Sequence, residues 1–163
     1  MNDATKVKQF TEEALGSECP KTPRALSYDQ VMFLTRMVVS ELDELVATVT
    51  SNEDEKEAFM QQALSTRDLC SQHRYDDDLH LIAAQGDALV DAWYYSLNVA
   101  SKHGINLSKI FDEVHDANMR KRNPTTGKFE RRPSDNKVLK PEGWTPPNVE
   151  GVIFSQMTDG SWE

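Results

Sequence analysis

The sequence has few cysteines and no long apolar run. Two cysteines among 163 residues, Cys19 and Cys70, provide neither a disulfide framework nor a zinc site, so a reducing compartment is the default. No segment approaches the roughly 20 apolar residues that a membrane-spanning helix needs. The start, MNDATKVKQF, lacks the basic-then-apolar organisation of a secretory signal. We therefore expect a cytoplasmic protein without a membrane partner.

Basic charge is also scarce. The net charge of −9 argues against a nucleic-acid partner, because phosphate backbones require a basic surface. Residues 120–140 are the exception, with eight basic and two acidic residues, or +6, which leaves −15 on the rest of the chain. An acidic body with one basic segment suits a small polyanion bridged by a divalent metal ion. Alternatively, the basic segment is a solvated loop or complements the acidic body.

The patterns that are present predict helices. Apolar residues spaced three and four apart predict helices near 3–15, from about 28 onward, 53–66, 79–102 and about 108–121. Ser27 with Gln30 forms a capping box, Asn52 and Ser108 are candidate caps, and Gly104 is well placed to end a helix. No useful strand pattern precedes residue 121. We predict an all-α bundle of about four to five helices.

The C-terminal part has a different character. Five of the seven prolines lie between residues 124 and 147, among basic and turn-forming residues, so this part cannot be helical throughout. We expect loops, extended chain and a short hairpin within TTGKFERRPSDNKVLK. The predicted organisation is a helical domain over 1–121 and an irregular, basic, Pro-rich extension over 122–163 that packs on the helical body.

The stretch SELDEL places Glu41 and Glu44 three residues apart, on the shoulder of the apolar stripe of its helix. Asp43 points to the opposite side, where we expect it to be solvated. Taken alone, Glu41 and Glu44 could be ordinary charges at the edge of a helix face. The second long helix raises the alternative that they bind a cation.

That helix contains GDALVDAWYY, in which Asp87 and Asp91 are four residues apart and share a face. Two aspartates at this spacing repel one another unless a cation lies near them, although one could make a local hydrogen bond while the other faces water. If the two long helices pack antiparallel, Asp87 and Asp91 can converge with Glu41 and Glu44. Such oxygen ligands suit Mg²⁺, with Mn²⁺ as the alternative.

These residues carry a resemblance to a known superfamily. The ordered set comprises E-x-x-E, D-A-L-x-D, the segment HGINLSKIFDEVHDANMRK with Asn118 and Lys121 at the N-M-x-K positions, and KVLKPEGWTPPN. It resembles the all-α nucleoside triphosphate pyrophosphohydrolases, and is most similar to the phosphoribosyl-ATP-pyrophosphohydrolase-like, MazG-related group. Two positions depart from the pattern: relatives often carry acids where this chain has Ser40 and Ala88. A remaining glutamate must then activate the water.

The resemblance implies that residues 1–121 form a MazG-like catalytic domain that hydrolyses a nucleotide to a monophosphate and pyrophosphate. It implies a Mg²⁺ ion held by four carboxylates, of which Glu41 and Glu44 are also catalytic. The phosphate or sugar would be contacted by residues at the end of the last predicted helix, and a homodimer or tetramer would form. The implied metal ligands are Glu41, Glu44, Asp87 and Asp91; the implied substrate contacts are Asn118, Lys121 and Arg122.

Three alternatives remain open at this point. The substrate could be phosphoribosyl-ATP, in histidine biosynthesis, although the basic extension fits that narrower family poorly. The protein could instead be a non-enzymatic helical interaction protein, with Asn118 and Lys121 an ordinary polar helix end. Trp144 would anchor the extension, or stack on a base. We further expect the basic segment to be mobile until it folds over bound phosphates.

Overall fold

The structure is a computed structural model that describes residues 1–69 and 71–159. Cys70 and residues 160–163, the end of the predicted extension, lie outside the described residues. The described part is all-α, as predicted, and has six helices and no strand beyond two isolated β-bridges. The helices are α1 (Asp3–Leu15), α2 (Tyr28–Ala47), α3 (Glu53–Thr66), α4 (Asp78–Lys102), α5 (Leu107–Met119) and α6 (Val149–Asp159). The predicted bundle lacked α6.

The helix ends follow from local side-chain chemistry. Ser27 and Gln30 form the predicted capping box at the start of α2, and Asn52 caps α3 as expected. The cap of α5 is Asn106 rather than Ser108, because the Asn106 carboxamide oxygen accepts the backbone N–H of Ser108. Gly104 follows α4 with a φ of 72°, a left-handed conformation that favours glycine.

The chain forms two compact units, residues 23–88 and residues 1–22 with 89–163. In the unit of residues 23–88, α2 packs against α3 and Val46 is buried. Asp43 on α2 accepts a hydrogen bond from the Lys56 ammonium on α3, at 3.1 Å. The Gln85 carboxamide accepts the Leu26 N–H at 2.8 Å and donates to the Leu26 carbonyl at 3.1 Å. The segment before α2 is thereby fixed to α4.

In the other unit, α5 packs against both α1 and α6. Its buried apolar residues are small: Ala14, Ala100 and Ala117, of which Ala117 is only 1% exposed. The Gln156 carboxamide of α6 accepts the Asn106 N–H at 2.8 Å and donates to the Asn106 carbonyl at 3.3 Å. In each unit, therefore, a glutamine side chain pairs with both the backbone N–H and the backbone carbonyl of a residue that lies just before a helix.

Two similar turns form the first part of the extension. The same hydrogen bond, positive-φ residue and β-bridge occur in both turns, nine residues apart in the sequence. Asn123 N–H donates to the Lys128 carbonyl, and Arg132 N–H donates to the Lys137 carbonyl, both at 2.8 Å. Each turn has one residue with positive φ, Gly127 at 68° and Asn136 at 58°. A β-bridge closes each turn, Arg122 with Phe129 and Arg131 with Val138. Lys128 and Lys137 thus occupy equivalent turn positions.

The extension has several attachment points on α1 and α5. The Trp144 indole N–H donates to the Ala117 carbonyl at 2.8 Å, and the Asn148 backbone N–H donates to a Glu113 carboxylate oxygen at 2.9 Å. That N–H, followed by the Arg120 guanidinium, lowers the pKa of Glu113. The Phe129 ring meets Phe10 of α1 edge-on, with centroids 5.3 Å apart. Fixed contacts therefore lie where the sequence analysis expected a mobile segment.

Within the described residues, no helix combines the length and the hydropathy needed to cross a membrane.

Replacing Gln156 by alanine tests the attachment of α6. We expect Gln156→Ala to lower the free energy of unfolding by about 1–2 kcal/mol, because two partly buried backbone groups of Asn106 lose their partner. The matched control is Gln61→Ala, since Gln61 is exposed on α3 and bonds only to Glu57 of the same helix. Urea denaturation should show a change of less than about 0.5 kcal/mol for this control. Equal effects in both variants would contradict the assigned role of Gln156.

Candidate functional site

The E-x-x-E stretch of α2 contains one paired and two unpaired carboxylates. Glu41 and Glu44 are exposed, and neither has a hydrogen-bond or ion-pair partner among the described residues. Asp43, between them, is bound by Lys56 of α3. The Asp43 side chain is 45% exposed, in keeping with the expected solvation, but its pairing with Lys56 was not predicted, because the spacing on one helix carries no information about a lysine on the next. The pairing singles out Glu41 and Glu44 as the uncompensated charges of this turn.

The second predicted pair lies on α4. Asp87 and Asp91 are exposed, four residues apart on the continuous helix, so their Cα atoms are separated by about 6 Å along its axis. Neither carboxylate has a cationic partner in the described part of the chain. Like charges at this spacing destabilise a helix by a few tenths of a kcal/mol. A bound cation would relieve this repulsion.

The four carboxylates have the donor chemistry of a Mg²⁺ or Mn²⁺ site. All four offer oxygen only, and none is neutralised by lysine or arginine in the described residues. Ser40, which replaces an acid of the family pattern, donates its hydroxyl to the Arg36 carbonyl of its own helix at 3.0 Å. Among the described residues of the single chain, no three His, Cys, Asp or Glu side chains form a group that could hold a metal ion. The convergence of the four carboxylates therefore stays a prediction.

The structure brings Asn118 and Lys121 together at the C-terminal end of α5. The Lys121 ammonium donates to the Asn118 carboxamide oxygen at 2.6 Å. Burial lowers the pKa of Lys121, and the charges of Lys140 and Lys137 lower it further. No carboxylate pairs with this ammonium among the described residues. A cation held in place without a counter-charge is suited to receiving a phosphate oxygen.

Arg122, the third predicted substrate contact, differs from Asn118 and Lys121 in being paired with a carboxylate. Its guanidinium is paired with Glu13 of α1 and lies over the Phe129 ring, 5.5 Å from the centroid. It also lines a pocket of about 530 Å³ with Lys128 and Arg131. Arg131 donates to the Leu15 carbonyl at the end of α1, at 3.4 Å. The arginines of this pocket thus tie the extension to α1, and a substrate contact by Arg122 stays a prediction.

Sequence reasoning did not single out Lys137 or Lys140 as site residues. Lys140 lies over the Trp144 ring at 4.3 Å from the centroid, and Lys121 approaches the same ring at 5.7 Å. The recurrence of a lysine directly after the positive-φ residue in both turns was a usable signal for Lys137. The meeting of Lys140 with Lys121 is long-range, and no local pattern predicts it.

Known proteins resemble this chain both in sequence and in fold. Residues 7–118 match the family described as phosphoribosyl-ATP pyrophosphohydrolase, a range that includes all four carboxylates and Asn118. A crystal structure of a provisionally assigned NTP pyrophosphohydrolase from Exiguobacterium sp. 255-15 is similar to this chain, with a TM-score of 0.81 and 28% identity over 99% of both chains. A search of curated proteins found no significant match. Since the structural similarity continues past residue 118, the extension belongs to the shared architecture.

Proposed function

Because this chain belongs to the phosphoribosyl-ATP pyrophosphohydrolase family, and is therefore a pyrophosphohydrolase, we propose that it hydrolyses nucleoside triphosphates to a monophosphate and pyrophosphate with Mg²⁺. The observation that carries the proposal is which acidic side chains are paired with basic residues and which are not. Asp43, Glu13 and Glu113 are paired with basic residues. The four carboxylates at the family positions have no such partner among the described residues. In the proposal Glu41, Glu44, Asp87 and Asp91 hold the metal ion.

In the proposed reaction, a carboxylate of Glu41 or Glu44 accepts the proton of the attacking water. The water oxygen forms a bond to phosphorus, the bridging P–O bond of the anhydride breaks, and pyrophosphate leaves. Bound Mg²⁺ would stabilise the negative charge on the phosphate oxygens. Ser40 and Ala88 cannot take over the proton, which leaves the glutamates of α2 as the candidate bases.

Asn118 and Lys121 would orient the phosphate chain. Lys121 already has its ammonium fixed by Asn118, so little side-chain entropy is lost when a phosphate oxygen binds it. Burial lowers the pKa of Lys121, and an anionic phosphate oxygen beside it would favour its charged form. Charge-assisted hydrogen bonds from lysine to phosphate are among the stronger polar contacts in proteins.

The named family makes phosphoribosyl-ATP the second candidate substrate. The matched range ends at Asn118, whereas the similarity to the Exiguobacterium protein continues through the basic extension. Because the extension carries part of the phosphate-facing charge, we favour a nucleoside triphosphate. Both substrates undergo the same hydrolysis of a phosphoric anhydride. They differ in the part of the nucleotide that does not react, which the protein must bind elsewhere.

We also propose that the chain acts as a homodimer, or as a tetramer built from dimers. Large apolar side chains are exposed on α2 and α4: Phe33 is 67% exposed, Leu45 62% and Tyr95 72%. Large exposed apolar surface is usually covered by another protein. The same two helices carry the four carboxylates, so pairing would also exclude water around them.

A nucleotide panel tests the proposed function. Purified protein with Mg²⁺ should release pyrophosphate from at least one nucleoside triphosphate, measured by ³¹P NMR, and release should stop when EDTA removes the metal. Phosphoribosyl-ATP belongs in the panel, and cleavage of it alone would select the second candidate. No cleavage of any member, with a melting temperature that Mg²⁺ does not change, would favour a non-enzymatic helical interaction protein.

Replacing single carboxylates by amides tests the metal ligands. We expect Glu41→Gln, Glu44→Gln and Asp91→Asn each to lower turnover by roughly 100-fold or more, because a ligand is lost. Their metal-free melting temperatures should hold or rise, because repulsion among the remaining acids falls.

The matched control is Asp43→Asn, which removes the same charge from the same turn of α2 as Glu44→Gln. It breaks the pairing with Lys56 but leaves the proposed ligands, so turnover should stay within about twofold of wild type. Turnover that falls equally in Asp43→Asn and Glu44→Gln would show that net charge on α2, rather than metal ligation, matters.

A further inference from the structure

Two lysines, Lys121 just after α5 and Lys140 in the extension, meet beside Trp144. The Trp144 ring is fixed by its indole N–H, which donates to the carbonyl of buried Ala117 at 2.8 Å. The ammonium groups of Lys140 and Lys121 lie 4.3 Å and 5.7 Å from the ring centroid. Lys137 precedes Lys140 by three residues and adjoins Val138, which the β-bridge with Arg131 holds. Its charge also lowers the pKa of Lys121, after the effects of burial and of Lys140. We call Lys121, Lys137 and Lys140 the lysine cluster.

The lysine cluster differs from the neighbouring basic residues in having no carboxylate partner. Arg120 is paired with Glu113 at 3.3 Å, and Arg122 with Glu13. Arg132 donates to both oxygens of Asp135, at 2.9 and 2.6 Å.

Asp135 acts on Lys137 through space, yet both its oxygens are already engaged by Arg132. That interaction, together with the Lys137 backbone N–H, holds the pKa of Asp135 at about 2. Within the described residues, no salt bridge reaches Lys121, Lys137 or Lys140.

The ammonium groups of the lysine cluster repel one another, since only Lys137 has a carboxylate, Asp135, that acts on it through space. Other contacts hold the arrangement together. The indole face attracts Lys140 and Lys121, and the C-terminal end of α5 favours a cation at position 121. A single bound anion with several negative oxygens would remove the repulsion among all three ammonium groups at once. Phosphate chains have this charge density, and lysine is a common phosphate ligand.

We propose that the lysine cluster is a binding site for the phosphate chain of the nucleotide, with Lys140 and Lys137 as ligands that the extension supplies beside Lys121. This inference rests on the proposed function and adds two substrate-binding residues to it. It also gives the extension a role: its contacts with α1 and α5 keep Lys137 and Lys140 at the end of α5. The extension then serves as a fixed wall of the site.

The two similar turns of the extension supply a matched pair of variants. Lys128 and Lys137 follow the positive-φ residue in their respective turns and accept the same backbone hydrogen bond at the same distance. Lys137→Gln and Lys128→Gln therefore remove one positive charge from equivalent positions, but only Lys137 belongs to the lysine cluster. Lys140→Gln and Lys140→Arg complete the set, because arginine keeps both the charge and the contact with Trp144.

The experiment is calorimetric titration of inorganic pyrophosphate into the full-length chain, with EDTA present so that no metal contributes. We expect Lys140→Gln and Lys137→Gln to weaken pyrophosphate binding by roughly fivefold to tenfold, as for one partly exposed charge pair. Lys128→Gln and Lys140→Arg should stay within about twofold of wild type. Equal melting temperatures would show that all four variants are folded. With the preferred nucleotide and saturating Mg²⁺, Lys140→Gln should raise KM by a similar factor and leave kcat nearly unchanged.

Each outcome decides the inference separately from the proposed function. Equal weakening by Lys128→Gln and Lys137→Gln would overturn the site, because the effect would then be general surface charge. Absence of pyrophosphate binding to the wild-type chain at millimolar concentration would also overturn it. If the variants follow the expected order while no nucleotide is hydrolysed, the phosphate site stands and the proposed function fails.

Discussion

The exposed apolar surface of α2 and α4 is the constraint on which the rest of the account depends. Few apolar residues are buried among those the structure describes, and most of them are alanines: Ala14, Ala100 and Ala117, with Val46. Burial of Phe33 or Tyr95 by a second copy would contribute about 2 kcal/mol for each side chain. The same helices carry four carboxylates without cationic partners. The proposed dimer interface and the proposed metal site would together account for the exposed apolar side chains and the unpaired acids on these two helices.

The other functional element is built around α5. This helix packs against α1 and α6. Asn118 lies in its last turn and Lys121 just beyond it, and the Ala117 carbonyl accepts the Trp144 indole N–H. The buried alanine allows the tryptophan to approach the backbone closely. Packing in this unit therefore determines where the positive charge of the extension lies, which would link the stability of this unit to the proposed recognition of phosphate.

Local chemistry was predictable from the sequence where it involves neighbours along the chain. Three features of the helix ends were predicted correctly, because each depends on residues within one turn. They are the capping box at Ser27, the cap at Asn52 and the glycine at position 104. Ser108 was predicted as a cap, whereas the structure shows that the Asn106 oxygen accepts the N–H groups of Ser108 and Lys109. Helix α6 was not predicted, because the prolines that precede it led us to expect an irregular extension. Asn148, whose side chain accepts the Gly151 N–H at 3.0 Å, was the available signal.

Long-range pairing was not predictable. The partner of Asp43 lies on the next helix, and the lysine cluster joins α5 to residues beyond two turns of the extension. The family resemblance predicted Asn118 and Lys121 as substrate contacts, because a family pattern reflects features of the folded protein that local spacing does not. It could not show that Arg122 would be paired with Glu13.

The central claim is that the catalytically competent form is an assembly in which the apolar surfaces of α2 and α4 are covered by a second copy. Active-enzyme sedimentation tests it most directly, since it follows only the species that turns over substrate at assay concentration. The account predicts that activity sediments with at least twice the 18.5 kDa mass of the chain. Activity that sediments with the mass of a single chain would contradict it.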